Sequence, residues 1–102
     1  MSYIDELAAD IRGALPPDLI PSGDTSALFR IYAVLALAKG EDVELEDVHD
    51  AWAAWMSGHD PGHRSLIPFS QLSGEVQRSD VPYVDAIRAV ARERGAGSHD
   101  RD

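Results

Sequence analysis

The sequence predicts an all-α protein that folds as one compact domain of four or five helices. Apolar residues recur at three- and four-residue spacing through most of the chain, which is the period of an amphipathic helix. Prolines and glycines lie between these stretches, where they end helices and form turns. With 102 residues, 44% of them hydrophobic, the chain has the size and the apolar content of a single hydrophobic core.

The first predicted helix begins after Ser2, whose hydroxyl can cap it. Leu7 and Ile11 lie four residues apart, so they fall on one apolar face. The helix is predicted to end at Pro16, because a proline in a helix interior removes a hydrogen bond and clashes with the preceding turn. We therefore expect residues 1–25 to form an N-terminal helix and a linker.

The second predicted helix opens within the polar segment Asp24–Ser26 and ends at Lys39 and Gly40, a cation followed by a glycine. It is apolar on almost every side, which favours a central position in the fold. A third helix is predicted over Leu45–Ser57, after a short acidic connection.

The rest of the chain is predicted to contain a turn, a short extended segment and a final helix. A Pro-Gly turn lies in the loop 59–63, and Leu66–Phe69 is expected to be extended because its proline disfavours helix. Ser73–Ser79 can form one or two helical turns. The last helix is predicted over Asp80–Gly95, and residues 95–102 are expected to be a disordered tail.

The charge composition limits the partners that the protein can bind. The net charge is −9, with 18 acidic residues against nine lysines and arginines. Binding to a nucleic-acid polymer needs clustered positive charge, so the sequence argues against it. A basic partner fits this charge, and so does plain solubility.

The third helix carries the most distinctive pattern of the chain. His49, Trp52 and Trp55 recur at three-residue spacing along its apolar stripe or at the edge of it. A half-buried imidazole needs hydrogen-bond partners for its ring nitrogens. The candidates are the carboxylate of Glu46, one turn back, and a backbone carbonyl of the segment 66–69.

Together with the segment that follows, this helix resembles the ryanodine-receptor repeat (RyR) domain. That family has an Asn/Glu-x-x-His-x-x-Trp helix, then a His-Pro-x-Leu-x-Pro-Tyr/Phe-x-x-Leu-x-x-x-Glu-Lys element and a closing helix. The resemblance implies a RyR-like helical domain over residues 26–94. The alanine- and arginine-rich composition is also similar to that of small proteins of actinobacteria and their phages. The positions that carry the RyR resemblance are Glu46, His49, Trp52, His63, Leu66, Pro68, Phe69, Leu72, Glu75 and Asp80.

The resemblance also implies a ligand. RyR repeats pair, and tryptophans of the paired unit are associated with an adenine nucleotide, so a small nucleotide-derived ligand and a homodimer are expected here. The implied ligand-binding residues are His49, Trp52, Trp55, His63 and Arg64. Trp55 would stack on the base, the two histidines would donate or accept hydrogen bonds, and Arg64 would meet the anionic part.

Each of these residues also has a purely structural interpretation. Trp52 and Trp55 can fill the core of a helix that has few other large side chains. His49 and His63 can pin the extended segment onto the third helix. A metal site is not predicted, because two loop histidines and one aspartate are fewer ligands than a structural zinc site needs.

The function predicted from the sequence is non-catalytic binding without a cofactor. No nucleophile elbow, phosphate-binding glycine loop or metalloprotease helix occurs, so an enzyme is not expected. The alternative is a phage-encoded or bacterial interaction module that binds and modulates a host protein. The cytoplasm is the predicted location (the host cytoplasm for a phage protein), because the N-terminus is acidic and no apolar run is long enough to span a membrane.

Overall fold

The computed structural model of the protein describes residues 2–99, with side chains through residue 94. These residues form α-helices, turns and loops and contain no strand, which confirms the all-α prediction. Three short 3₁₀ turns lie in the connections, at Pro17–Leu19, Gly40–Asp42 and Phe69–Gln71. The helices are α1 (Tyr3–Gly13), α2 (Ser26–Lys39), α3 (Leu45–Ser57), α4 (Gly74–Arg78) and α5 (Val81–His99).

Helix α1 forms because its first turn is capped and its apolar face is buried. The Ser2 hydroxyl accepts a hydrogen bond from the Asp5 backbone N–H (3.2 Å) and donates one to the Asp5 carboxylate (3.0 Å). Leu7 and Ile11 are each 1% exposed and belong to the same core as α2 and α5. The N-terminal segment therefore shares one core with the rest of the protein.

Helix α2 is the central element, in contact with α1, α3 and α5. Its inner face buries Leu28, Phe29 and Tyr32, and the Phe29 and Tyr32 rings meet edge to face at 5.6 Å. The opposite face is not covered, since Val34 and Leu37 are more than half exposed. The near-continuous apolar sequence of α2 thus reflects a packed face and an open one.

The connection from α2 to α3 is fixed at both ends. Gly40 has a φ of +58°, a conformation that side-chain-bearing residues rarely adopt. The Arg88 Nε–H of α5 donates to the Val43 carbonyl at 2.8 Å, and the Val43 side chain is fully buried. The start of α3 is held by a capping box between Glu44 and Asp47.

Helix α5 is longer than the sequence predicted. It continues to His99, so the predicted end at Gly95 is wrong. A glycine inside a helix costs only about 1 kcal/mol relative to alanine, and no proline follows that would stop the helix. Of the predicted disordered tail, residues 100–102 lie outside the described residues.

The segment between α3 and α4 is irregular and returns the chain across α3. Pro68 is extended (φ −54°, ψ 144°), and Phe69 begins the 3₁₀ turn that follows. The Gln77 side-chain amide donates to the Phe69 carbonyl (2.9 Å) and the Leu72 carbonyl (3.3 Å), which ties this turn to α4.

None of the helices described here combines the length and the apolar character that crossing a bilayer requires. The cytoplasmic location stays a prediction from the sequence.

Two glycine substitutions test the backbone conformation at the end of α2. We expect Gly40→Ala to lower the free energy of unfolding by about 1 kcal/mol, because its positive φ disfavours a Cβ although no atom lies within 4 Å of the added carbon. Gly13→Ala is the matched control: it also has open space, lies in a helix and should be neutral or slightly stabilising. Urea denaturation measures both, and a Gly40→Ala protein as stable as the parent would contradict the assigned turn.

Candidate functional site

Four side-chain rings form a column between the 3₁₀ turn at Phe69 and the loop after α3. Their order is Phe69, His49, Trp52 and His63. The His49 ring lies 6.1 Å from Phe69 and 5.7 Å from Trp52, and Trp52 meets His63 edge-on at 5.1 Å. Helical spacing places His49 and Trp52 on one side of α3, and the returning chain supplies Phe69 and His63. Both histidine rings therefore contact the same indole, that of Trp52.

His49 is the anchor of this column. It is only 4% exposed, and its Nε2 lies 2.7 Å from the Ile67 carbonyl oxygen. Because a carbonyl can only accept, Nε2 carries the proton and donates it. Of the two partners that the sequence suggested, the backbone carbonyl is therefore the one found. His63 is oriented differently, since its Nδ1 accepts a hydrogen bond from the Ser65 backbone N–H at 3.0 Å.

Beside this column lies a cleft of about 360 Å³, which we call the Asp80 cleft. It lies where α2, α3, the start of α5 and the linker after α1 meet, and its volume is within the range of small-molecule sites. Its walls combine apolar and aromatic side chains with a few polar groups. The lining residues are Leu19, Pro21, Leu28, Tyr32, His49, Trp52, Ser65, Val76, Ser79, Asp80 and Tyr83.

Asp80 supplies the only carboxylate that the described residues place on the cleft wall. Its backbone carbonyl accepts hydrogen bonds from the N–H groups of Tyr83 and Val84, both at 3.1 Å, and so starts α5. Its half-buried carboxylate has no hydrogen-bond partner among residues 2–94. Burial raises the pKa of Asp80, and the neighbouring His49 opposes part of that rise.

Two tyrosines complete the polar part of the cleft. Their rings lie 6.2 Å apart, and burial, followed by the nearby Asp80 charge, raises the pKa of both Tyr32 and Tyr83. The Tyr83 hydroxyl donates to the Leu19 carbonyl, so only its lone pairs remain for another group. Tyr32 is 2% exposed, and its hydroxyl makes no hydrogen bond with any residue that the structure describes.

The cleft offers mainly hydrogen-bond acceptors, although the Tyr32 hydroxyl can also donate. The Asp80 carboxylate and the Tyr83 lone pairs can accept hydrogen bonds, and none of the described lysines and arginines lines the wall. A carboxylate in a partly dry, aromatic environment interacts strongly with a positively charged donor. The same arrangement disfavours an anion.

The structure brings together only some of the residues that the sequence singled out. His49 and Trp52 line the cleft, and His63 contacts the Trp52 ring but does not line the cleft. Trp55 packs against the hydrophobic core instead, with its ring 4.3 Å from that of His59. Its indole Nε1 is buried without a partner among the described residues. Arg64 is exposed and does not line the cleft.

Sequence reasoning missed the two tyrosines as site residues and gave Asp80 no ligand role. Neither tyrosine was singled out from the sequence, and Asp80 was only a predicted helix start and a motif position. The sequence did contain an indication of a polar site, since a tyrosine on a buried helix face brings a hydroxyl that needs a hydrogen-bond partner. Among the described residues, no group of three histidine, aspartate or glutamate side chains is placed to hold a metal ion, the loop around His59 included.

Comparison with known proteins assigns the chain to a different family from the one that the sequence pattern suggested. A family model described as "Domain of unknown function (DUF7701)" matches residues 2–92. The chain belongs to this family. No curated protein and no solved structure matches it.

The resemblance to the RyR repeat was therefore wrong. The DUF7701 match includes α1, which lies outside the RyR-like segment predicted from the sequence. The His-x-x-Trp spacing has a local cause in this DUF7701 chain: both side chains lie on the side of α3 that faces the returning segment.

The titration of Asp80 gives a test of the cleft. Because burial raises its pKa above the ordinary value of 3.8, the folded state binds this proton more tightly than the unfolded state does. The ionised carboxylate therefore lowers stability at neutral pH. That cost should decline as the pH falls through the raised pKa, and it is absent below the unfolded value.

We expect Asp80→Asn to be more stable than the parent at pH 7 and to lose this advantage at pH 3. Thermal or urea denaturation of both proteins at the two pH values measures the difference. Asp50→Asn, at an exposed position of α3, is the matched control for the change in charge. An Asp80→Asn advantage of equal size at both pH values would contradict a buried, ionised carboxylate.

Proposed function

We propose that this DUF7701 protein is a non-catalytic binding domain whose Asp80 cleft takes up a small organic cation, an ammonium or a guanidinium group. The observation that carries the proposal is the half-buried Asp80 carboxylate, which lacks a partner among the described side chains. Burying a charge without a partner is costly, so such a group is best explained by a ligand that neutralises it.

The aromatic walls support a cation in a second way. Tyr32, Tyr83 and Trp52 all line the cleft, and the face of an aromatic ring attracts a positive charge by ~0.5–2 kcal/mol. The Tyr83 hydroxyl, whose proton is donated to Leu19, offers an acceptor to the N–H groups of the ligand. An ammonium or a guanidinium group has only donors, so it matches the acceptors of the cleft.

The overall charge of the protein also favours a cationic ligand. A net charge of −9 creates a negative potential that concentrates cations near the surface and raises their association rate. A nucleotide would be repelled, because its phosphates would lie beside Asp80, and residues 2–94 place no lysine or arginine on the cleft wall. The cationic ligand therefore replaces the nucleotide-derived ligand that the sequence pattern had suggested.

Binding without catalysis fits the hydrogen bonds of the cleft. The Ser79 hydroxyl donates to the Val76 carbonyl, and no serine, threonine or tyrosine hydroxyl of the described residues is hydrogen-bonded to His49, so these side chains form no nucleophile–base pair. The cleft offers shape, one negative charge and aromatic surface, which is what selective capture of a cation requires.

Tryptophan fluorescence can test this proposal with a built-in reporter. The chain has two tryptophans, and Trp52 lines the cleft while Trp55 does not. A Trp55→Phe protein therefore reports on the cleft alone, and it also removes an unpaired buried indole N–H. Agmatine, putrescine and choline serve as cationic probes, with AMP and a cyclic dinucleotide as anionic ones.

We expect at least one cation to change the Trp52 emission saturably and to raise the melting temperature. A ligand at 100-fold its dissociation constant stabilises the folded state by ~2.7 kcal/mol. The Asp80→Asn protein should lose this response, and the Asp50→Asn protein should keep it. Stabilisation by a nucleotide rather than by any cation, or cation binding that survives in Asp80→Asn, would refute the proposal.

A further inference from the structure

A second concave surface lies on the other side of the α4–α5 turn from the Asp80 cleft. It is a groove of about 530 Å³ between the start of α3, the 3₁₀ turn at Phe69 and the first turns of α5. We call it the α3–α5 groove. Its lining is Glu44, Leu45, Glu46, Phe69, Gln77, Val81, Val84, Asp85 and Arg88.

The floor of the groove is apolar and its rim is acidic. Leu45, Phe69, Val81 and Val84 supply the apolar surface, and Val81 is 41% exposed. Three exposed carboxylates lie around them, those of Glu44, Glu46 and Asp85. With three carboxylates against the single arginine of the described lining, the groove is negative in sum, and such an apolar strip matches an amphipathic segment of positive charge.

The walls of the groove are held in place by hydrogen bonds that leave its floor open. Gln77 fixes the Phe69 turn through two carbonyls, at 2.9 and 3.3 Å. Arg88 is the one lysine or arginine among the described lining residues, and its Nε already donates to the Val43 carbonyl at 2.8 Å. A groove that is preorganised in this way loses little conformational entropy when a partner binds.

We propose that the α3–α5 groove docks a basic amphipathic helix of a partner protein, with apolar side chains on the floor and lysines or arginines against the rim. Charge decides between this occupant and a second copy of the chain. Two copies that each carry −9 repel one another, whereas a basic segment is attracted to the same surface. The proposal does not depend on Asp80 or on its cleft.

A designed peptide can test the groove in the full-length protein. The probe is a labelled 18-residue helix with leucines on one face and lysines on the other, and its binding is followed by fluorescence anisotropy. A scrambled peptide of the same composition and a leucine–glutamate peptide of the same pattern are the peptide controls. We expect the patterned leucine–lysine peptide to bind more tightly than both.

Two variants with the same change in charge locate the binding site. Val81→Arg places a cation in the groove, while Val34→Arg places one on the exposed outer face of α2, where the parent side chain is 54% exposed. We expect Val81→Arg to weaken peptide binding at least about tenfold and Val34→Arg to change it less than about threefold, because a like charge at the contact acts on docking itself.

Three results would overturn the proposal. Equal weakening by the two variants would mean general attraction to an acidic surface, and equal affinity of the scrambled peptide would mean the same. A dimer of the protein, detected by sedimentation and dissociated by Val81→Arg but not by Val34→Arg, would show that a second copy occupies the groove. Circular dichroism of both variants confirms that each is folded, since both positions are exposed in the parent.

Discussion

The hydrogen bond from His49 Nε2 to the Ile67 carbonyl fixes the part of the protein that carries both concave surfaces. The segment between α3 and α4 has no regular structure over most of its length, so it needs a contact that holds it against the helical core. A buried hydrogen bond of this kind contributes about 1 kcal/mol, and more is lost when one partner remains unpaired. From Ile67 the chain enters the Phe69 turn, which Gln77 then fastens to α4.

Through this contact α3 shapes two different sites. His49 and Trp52 form part of the wall of the Asp80 cleft, and Leu45, about one helical turn earlier, lines the α3–α5 groove. The α4–α5 turn divides the two surfaces in the same way, with Gln77 on the groove and Asp80 on the cleft. Both surfaces are thus made by rigid helices and by a loop that is fastened at defined carbonyls, and neither requires a mobile lid.

The helices were predictable from the sequence because their causes are local. Capping at Ser2, the apolar spacing of Leu7 and Ile11, and the glycine after Lys39 each act within a few residues, and the structure has helices at these places. The carbonyl partner of His49 could also be predicted from the sequence, since a half-buried imidazole needs a hydrogen-bond acceptor and the segment 66–69 offers one nearby. The end of the last helix was wrongly predicted at Gly95, because a single glycine weakens a helix without ending it.

The Asp80 cleft could not be predicted in the same way. Tyr32 and Tyr83 are distant in sequence, and only the packing of α2 against α5 brings their rings to 6.2 Å. Asp80 has the appearance of an ordinary helix start until tertiary structure shows that its carboxylate does not cap the helix. The RyR resemblance failed for a related reason: residue letters at matching intervals can arise from the packing of one helix against one loop.

The acidic composition contributes little to the stability of the fold, but it suits the cationic ligand and the basic partner that we propose. Among the described residues, ion pairs join Arg30 to Asp5, Lys39 to Asp47, Arg92 to Glu41 and Arg94 to Asp10. Exposed ion pairs of this kind contribute ~0–1 kcal/mol each, and 18 acidic residues far outnumber them. The remaining negative charges repel one another and destabilise a compact state, so they do not stabilise the fold. For a positively charged ligand or partner the effect is favourable. The negative potential of the protein would attract it toward a cleft and a groove that both present carboxylates.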